Sequence, residues 1–314
     1  MNATILLAVS LAIATDGIQA GDHTRTIRFD RRTRTYQVHI PRSYDGTKAF
    51  PVVLAFHGGL SRAESLIRAC GLNEKADNAG FIAVYPNGTS RYGRLLTWNA
   101  GNCCGYAMRK NVDDVGFVRA LLDDLAGIAN VDSQRVYATG YSNGAMMSYR
   151  LASELSDRIA AIAPVAGPMG TATCKPKRPV PVIHFHGTDD QLAPFRGGRV
   201  DFGLTTVNFY SVEYSIRAWV KANGCPEKPV VTDEPDRADD GMTVERRTYG
   251  PGKDGEEVIL MVIKGGGHTW PGRAPPYPHL GESTKDISAN DLMWEFFKKH
   301  PMKRRLARSA SEEN

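Results

Sequence analysis

Gly140-Tyr141-Ser142-Asn143-Gly144 is the stretch on which the fold turns. It matches the pattern G-x-S-x-G, and its two flanks make that pattern physically meaningful. Arg135 to Thr139 reads as a strand, and Ala145 to Leu155 reads as a helix. A serine at so tight a strand-to-helix turn projects above the end of a sheet as a candidate nucleophile. The two glycines relieve the crowding of such a turn. The competing reading is an ordinary glycine-rich turn with a solvated serine.

Outward from this turn, strands and helices alternate. Upstream lie two period-two runs, Thr24 to Phe29 and Thr35 to Ile40, and then the continuous apolar run Val52 to Phe56. Such a run suits a strand buried on both faces of a parallel sheet. Ser61 and Glu64 have capping-box spacing for a helix that follows. Phe81 to Tyr85 reads as a strand stopped by Pro86-Asn87-Gly88, and Asp113 to Ile128 as a helix with Val115, Val118, Leu122 and Leu125 in one stripe. Downstream, Ile159 to Val165, Val180 to Phe185 and Val258 to Ile263 are strands, and Val212 to Ala222 and Asp291 to Lys299 are helices. The alternation predicts an α/β fold, a mostly parallel central sheet with helices on both faces. No linker or repeat interrupts it, so residues 21–300 read as one domain although 314 residues suggest about two at ~150 each.

A serine nucleophile needs a base and an acid that orients it, in chain order serine, acid, histidine for this arrangement. The strand Val180 to Phe185 runs into His186-Gly187-Thr188-Asp189-Asp190, which offers two carboxylates at its carboxyl end. The next apolar strand runs into Gly265-Gly266-Gly267-His268. Both loops fall at the sheet edge that carries Ser142. Of eight histidines, His268 has the required order and position, which gives the candidate triad Ser142, Asp190 and His268, with Asp189 as the other acid. His57-Gly58-Gly59, at the exit of the first buried strand, offers a backbone N–H that can join that of Asn143 as an oxyanion hole.

Five motifs together resemble the secreted α/β-hydrolase esterases grouped as polyhydroxybutyrate depolymerase-like and feruloyl esterase-like. They are His57-Gly58-Gly59, Asp113-Asp114-Val115-Gly116-Phe117, Gly140 to Gly144, His186 to Asp190 and Gly267-His268-Thr269-Trp270-Pro271-Gly272. The resemblance runs from Arg34 to His300. It implies an α/β-hydrolase fold, a serine esterase that needs no cofactor, and the second carboxylate, Asp190, as the triad acid. Gly59 stands where many relatives have cysteine, so it takes the oxyanion role by position. Within the family the sequence favours a feruloyl-type or short-acyl ester over a crystalline polyester. Trp270 lies two residues from the base in a proline-stiffened loop, and Trp98 follows the Phe81 strand, so both are expected as aromatic walls of the acyl pocket. Hydroxybutyrate oligomers are the alternative substrate.

Composition bounds the rest. The 39 Lys and Arg against 34 Asp and Glu leave a net charge of +5, and six of the basic side chains fall between Lys298 and the C-terminus. With Glu312 and Glu313 that leaves a net +4 from Lys298 to the end, which includes the basic tail 301–314, and a nucleic-acid partner is not expected. Ile5 to Ala14 and Ile18-Gln19-Ala20 read as a secretory leader over residues 1–20, although no Lys or Arg precedes the apolar run. The run is too short to span a bilayer. Neither a membrane nor an obligate protein partner is expected. Five cysteines suit an oxidising compartment, and at least one of the adjacent Cys103 and Cys104 is expected to pair at long range with Cys70, Cys174 or Cys225. A metal-dependent hydrolase built on His184 and His186, which share one strand face, lacks further ligands, so no metal is expected. A peptidase on this fold has no feature calling for it. A non-catalytic binding module has no need of an ordered Ser, Asp and His.

Overall fold

The computed structural model describes residues 17–203 and 206–303. Most of the expected leader, through residue 16, and the expected basic tail from residue 304 lie outside the described residues. Strands β1 (Gly21–Phe29) and β2 (Arg32–Ile40) form an antiparallel hairpin. Then follow β3 (Phe50–Phe56), β4 (Ile82–Pro86), β5 (Val131–Tyr141), β6 (Ile162–Val165) and β7 (Val182–Gly187). β8 (Gly198–Asp201) and β9 (Thr206–Phe209) pair separately, and β10 (Val230–Asp233), β11 (Thr243–Tyr249) and β12 (Val258–Lys264) complete the strands. The ten-stranded sheet has the order β1-β2-β4-β3-β5-β6-β7-β12-β11-β10. From β4 to β12 the six central strands are parallel, and each edge is closed by an antiparallel pair.

The helices are α1 (Ala63–Cys70), α2 (Leu72–Ala79), α3 (Gly105–Arg109), α4 (Asp114–Ile128), α5 (Asn143–Glu154), α6 (Val212–Asn223) and α7 (Ala289–Lys299). Two apolar clusters lie on opposite faces of the sheet. Strand β3 shows the division, with Val52, Leu54 and Phe56 in one cluster and Val53 and Ala55 in the other, as the two-residue period of a strand requires. Helices α4, α5 and α6 pack on the first face and α1, α2 and α7 on the second. No helix among the described residues is long and apolar enough to cross a membrane.

Two local expectations are corrected. Helix α1 starts one residue late for the expected box. Its N-cap is Arg62, with no side-chain cap bond, because the Ser61 backbone pairs with Leu96 and Glu64 accepts from Gln37 Nε2 at 2.6 Å. The cysteines also differ. Cys103 and Cys104 are bridged to each other, and Cys70, Cys174 and Cys225 are free. The expected long-range partners are committed elsewhere. Cys70 is buried in the cluster on the opposite face of the sheet from Cys103, and the Cys225 thiol lies 3.7 Å from the Glu256 carbonyl.

Candidate active site

The Ser142 turn is set by backbone crowding at the crossing of β3, β5 and α5. Ser142 has φ 57° and ψ −119°, a conformation in which non-glycine residues store on the order of 1–3 kcal/mol of strain. Its N–H donates to Val165 O at 2.9 Å, so β6 holds the turn from one side. On the other side a Cβ at Gly144 would run into the Phe56 carbonyl oxygen, and one at Gly140 would run into the Gly144 carbonyl. Ser142 is half-buried.

His268 and Asp190 are brought together by the ends of β7 and β12, which pair in parallel through Ile263 and Gly187. A Cβ at Gly187 would collide with the Gly266 carbonyl, Asp189 N–H donates to Gly266 O, and Gly265 N–H donates to Thr188 Oγ1. The glycine-rich loop thus lets the two strand exits touch. His268 Nδ1 lies 2.7 Å from Asp190 Oδ2. Asp189 is exposed and accepts from Thr188 Oγ1. The carboxylate at the histidine is therefore Asp190 and not Asp189. Asp190 Oδ1 accepts from the amides of Leu192 and Ala193 at 2.9 and 2.8 Å. Burial alone would raise this carboxyl group. The charge of His268 and the hydrogen bonds from His186 and His268 outweigh burial and hold it well below the usual carboxylate range. With Asp190 ionised, His268 Nδ1 carries the proton and Nε2 is the basic nitrogen. The His268 ring lies 4.8 Å from that of Tyr141, whose hydroxyl donates to the His268 carbonyl, so the imidazole is held against the residue preceding Ser142. Among the described residues neither Ser142 Oγ nor His268 Nε2 has a hydrogen-bond partner.

The loop after β3 is equally constrained. His57 Nε2 accepts from Gly88 N–H at 3.0 Å, so its proton is on Nδ1, which donates to Gly58 O at 2.7 Å. Burial pushes this imidazole down to about 4, so it is neutral. In a planar trans peptide the Gly59 N–H points opposite to the Gly58 carbonyl, and hence away from His57. A Cβ at Gly58 would lie 3.4 Å from Ser142 Cβ, and one at Gly59 would lie 3.6 Å from Asn143 Cβ. The Gly59 and Asn143 amides make no hydrogen bond to other described residues. The Asn143 side chain is clamped to the Trp98 backbone through Trp98 N–H (2.8 Å) and Trp98 O (3.2 Å).

Neither tryptophan has the open face that a wall of the acyl pocket requires. Trp98 is fully buried, with Nε1 donating to His57 O, and it packs on Phe56 and His57. Trp270 is 5% exposed and donates to Asn290 Oδ1 within the α7 core. Trp98 instead links the β3 exit to the start of α5. A polar cleft of about 440 Å³, lined in part by Arg32, Arg62, Arg91, Glu64, Asn87 and Thr89, includes none of Ser142, Asp190, His268, Gly58 or Gly59.

His184 and His186, adjacent on one face of β7, have both ring nitrogens engaged. His184 Nδ1 lies 2.9 Å from Tyr149 Oη, and its Nε2 lies 3.0 Å from His186 Nδ1. His186 Nε2 lies 2.7 Å from Ala193 O and 3.2 Å from Asp190 Oδ2. Among the described residues no group of three or more His, Cys, Asp or Glu side chains is placed to hold a metal ion. The i, i+2 histidine pattern was legible in the sequence. Its connection to Asp190 was not, and Tyr149 carried no signal at all.

Comparison with known proteins gives a consistent picture. The chain is 34% identical over 278 residues to a protein of Nocardia uniformis subsp. tsuyamanensis named as esterase NocK, an alignment covering 84% of this chain and 79% of that one. It is 33% identical over 239 residues to feruloyl esterase B of Piromyces equi, covering 74% of this chain and 42% of that longer protein. Acetyl xylan esterase from Aspergillus awamori superposes with a TM-score of 0.58 at 15% identity, over 88% of this chain and 99% of that one, and shares the fold. No family model matches the chain.

Proposed function

The chain belongs to the α/β-hydrolase esterases that include the feruloyl esterases, which are carboxylic ester hydrolases, and from that premise we propose that Ser142, His268 and Asp190 are its catalytic triad, acting through an acyl-enzyme. His268 Nε2 takes the Ser142 proton as Oγ attacks the ester carbonyl. Asp190 holds the imidazole and stabilises the imidazolium, and the amides of Gly59 and Asn143 receive the developing oxyanion. His268 then protonates the departing alcohol and, as base again, activates the water that releases the acid. The observation carrying this reading is the 2.7 Å bond from His268 Nδ1 to a buried carboxylate, which leaves Nε2 as the only basic ring nitrogen. Ser142→Ala should lower kcat on p-nitrophenyl acetate by about 10⁴–10⁶-fold, as for other serine triads. An alanine variant with wild-type turnover would remove Ser142 from the mechanism.

The substrate we propose is a feruloyl-type or short-acyl ester of a carbohydrate. Relatives named as feruloyl and acetylxylan esterases support this choice. The check is kcat/KM on methyl ferulate, an acetylated xylo-oligosaccharide and a hydroxybutyrate trimer. Preference for the trimer would overturn it.

A further inference from the structure

We propose that Tyr149, His184 and His186 form a buried one-way hydrogen-bond relay whose last member positions Asp190, so that the tyrosine on α5 helps set the orientation of the base from three links away. The inference rests on the triad reading and extends it to residues that touch neither substrate nor reacting atoms.

The proton arrangement follows from the acceptors at one end. Ala193 O and the ionised Asp190 Oδ2 can only accept, so His186 Nε2 must carry the proton; it donates to Ala193 O at 2.7 Å and brings that N–H within 3.2 Å of Asp190 Oδ2. In the relay we propose, His186 Nδ1 is then an acceptor, and His184 Nε2 donates to it across 3.0 Å. That leaves His184 Nδ1 as an acceptor, and Tyr149 Oη–H donates to it across 2.9 Å. Every bond therefore points toward Asp190, and hydrogen bonds aligned head to tail polarise one another. Burial, and then the neighbouring His186, hold His184 well below its ordinary value, and burial holds the Tyr149 phenol well above its own. Tyr149 thus keeps its proton and His184 stays neutral, as the relay needs. The rings are locked by packing, with His184 stacked at 5.2 Å on His186 and at 5.7 Å on Tyr149, which in turn lies 6.0 Å from Trp219.

A reversed relay could not support Asp190. If the Tyr149 hydroxyl were absent, His184 could move its proton to Nδ1, its Nε2 would accept from His186 Nδ1, and His186 Nε2 would face Asp190 and Ala193 O without a proton. Asp190 would lose a donor. Its charge would then concentrate on the bond to His268 and favour the imidazolium. The other titratable group packed on His268 is Tyr141, which does not change in this comparison; Glu282 meets this loop through its backbone carbonyl, which accepts from Gly267 N–H, and its side chain is exposed.

Two measurements test the relay. In long-range ¹H–¹⁵N spectra of the wild-type protein, His184 and His186 should both appear as neutral Nε2–H tautomers. An Nδ1–H form of either would overturn it. Tyr149→Phe keeps the ring and removes only the hydroxyl. It should lower kcat about tenfold with KM little changed, the scale of one hydrogen bond to a charged group, and move the acid limb of the kcat/KM profile to higher pH. An unchanged kcat and profile in Tyr149→Phe, alongside an inactive Ser142→Ala, would reject the relay and leave the triad standing. An active Ser142→Ala would reject the triad whatever the spectra show.

Discussion

At the scale of single residues, the decisive contrast is between neighbours. Asp189 and Asp190 have the same side chain and adjacent places in the sequence, yet one is exposed and the other is 4% exposed with four hydrogen-bond donors around it. On the proposed mechanism, Asp190→Asn removes the charge that stabilises imidazolium and favours the wrong histidine tautomer, so kcat should fall by about 10⁴-fold. Asp189→Asn should change it less than threefold or so, because only a surface bond to Thr188 is touched. Measuring both on p-nitrophenyl acetate decides the matter, and the reverse order of effects would reassign the acid. Because Asp190 is held well below the ordinary carboxylate range, it stays ionised wherever the protein is folded near neutrality. Loss of activity on mild acidification should therefore not come from protonating Asp190, and it should be reversible on return to neutral pH.

At the scale of elements, the serine turn depends on two glycines belonging to different elements. Gly140 lies one residue before the end of β5 and Gly144 one residue after the start of α5, and both lie against the end of β3. Gly144→Ala drives a Cβ into the Phe56 and His57 carbonyls, so β3 and α5 must separate. That overpacking should cost about 1–3 kcal/mol, lower the denaturant midpoint and reduce kcat together. A variant with wild-type midpoint and rate would show that the turn tolerates the methyl group. The same crowding explains why the motif was legible in the sequence: a backbone contact this close can be made only by glycine. The α1 cap was misread for the opposite reason. Ser61 and Glu64 have the right spacing, but the Ser61 backbone is taken by Leu96 from another loop, and local spacing carries no record of that.

At the scale of the whole molecule, the closing helix α7 is tied to the start of β12 by charge. His300, at the C-cap of α7, has Nδ1 2.8 Å from Glu256 Oε2 and Nε2 3.1 Å from Glu257 Oε1. Burial opposes charging this histidine, but the two carboxylates prevail and raise it above its ordinary value. The hydrogen bond from His300 lowers Glu257 against its own burial. The histidine's contribution to stability is thus full below its unfolded value of about 6.5 and is lost as pH rises through the raised folded value. That of Glu257 is present above about 4.3 and lost as pH falls through its lowered folded value. His300→Gln should therefore lower Tm by roughly 2–4 °C at pH 6 and by clearly less at pH 9. An equal loss at both would show that the tether does not depend on charge. The bridge between adjacent Cys103 and Cys104 closes almost no loop, so reduction should shift Tm by less than about 2 °C. A large drop would require one of the distant cysteines to be bridged.

The sequence by itself determined the order of events along the chain: buried strands as apolar runs, helices as striped ones, and serine, acid and histidine each at a strand exit in the order this fold requires. Those features are local, so residue type and spacing express them. Only the tertiary structure decided which carboxylate faces His268, that Trp98 and Trp270 are packed inside and do not line a pocket, and that Cys103 pairs with its neighbour. It also decided that His184 and His186, which by spacing alone could have been metal ligands, form a line from Tyr149 on α5 to Asp190. Those outcomes depend on which elements meet across the sheet, and contacts between residues tens of positions apart leave no periodic trace in the chain that folds to make them.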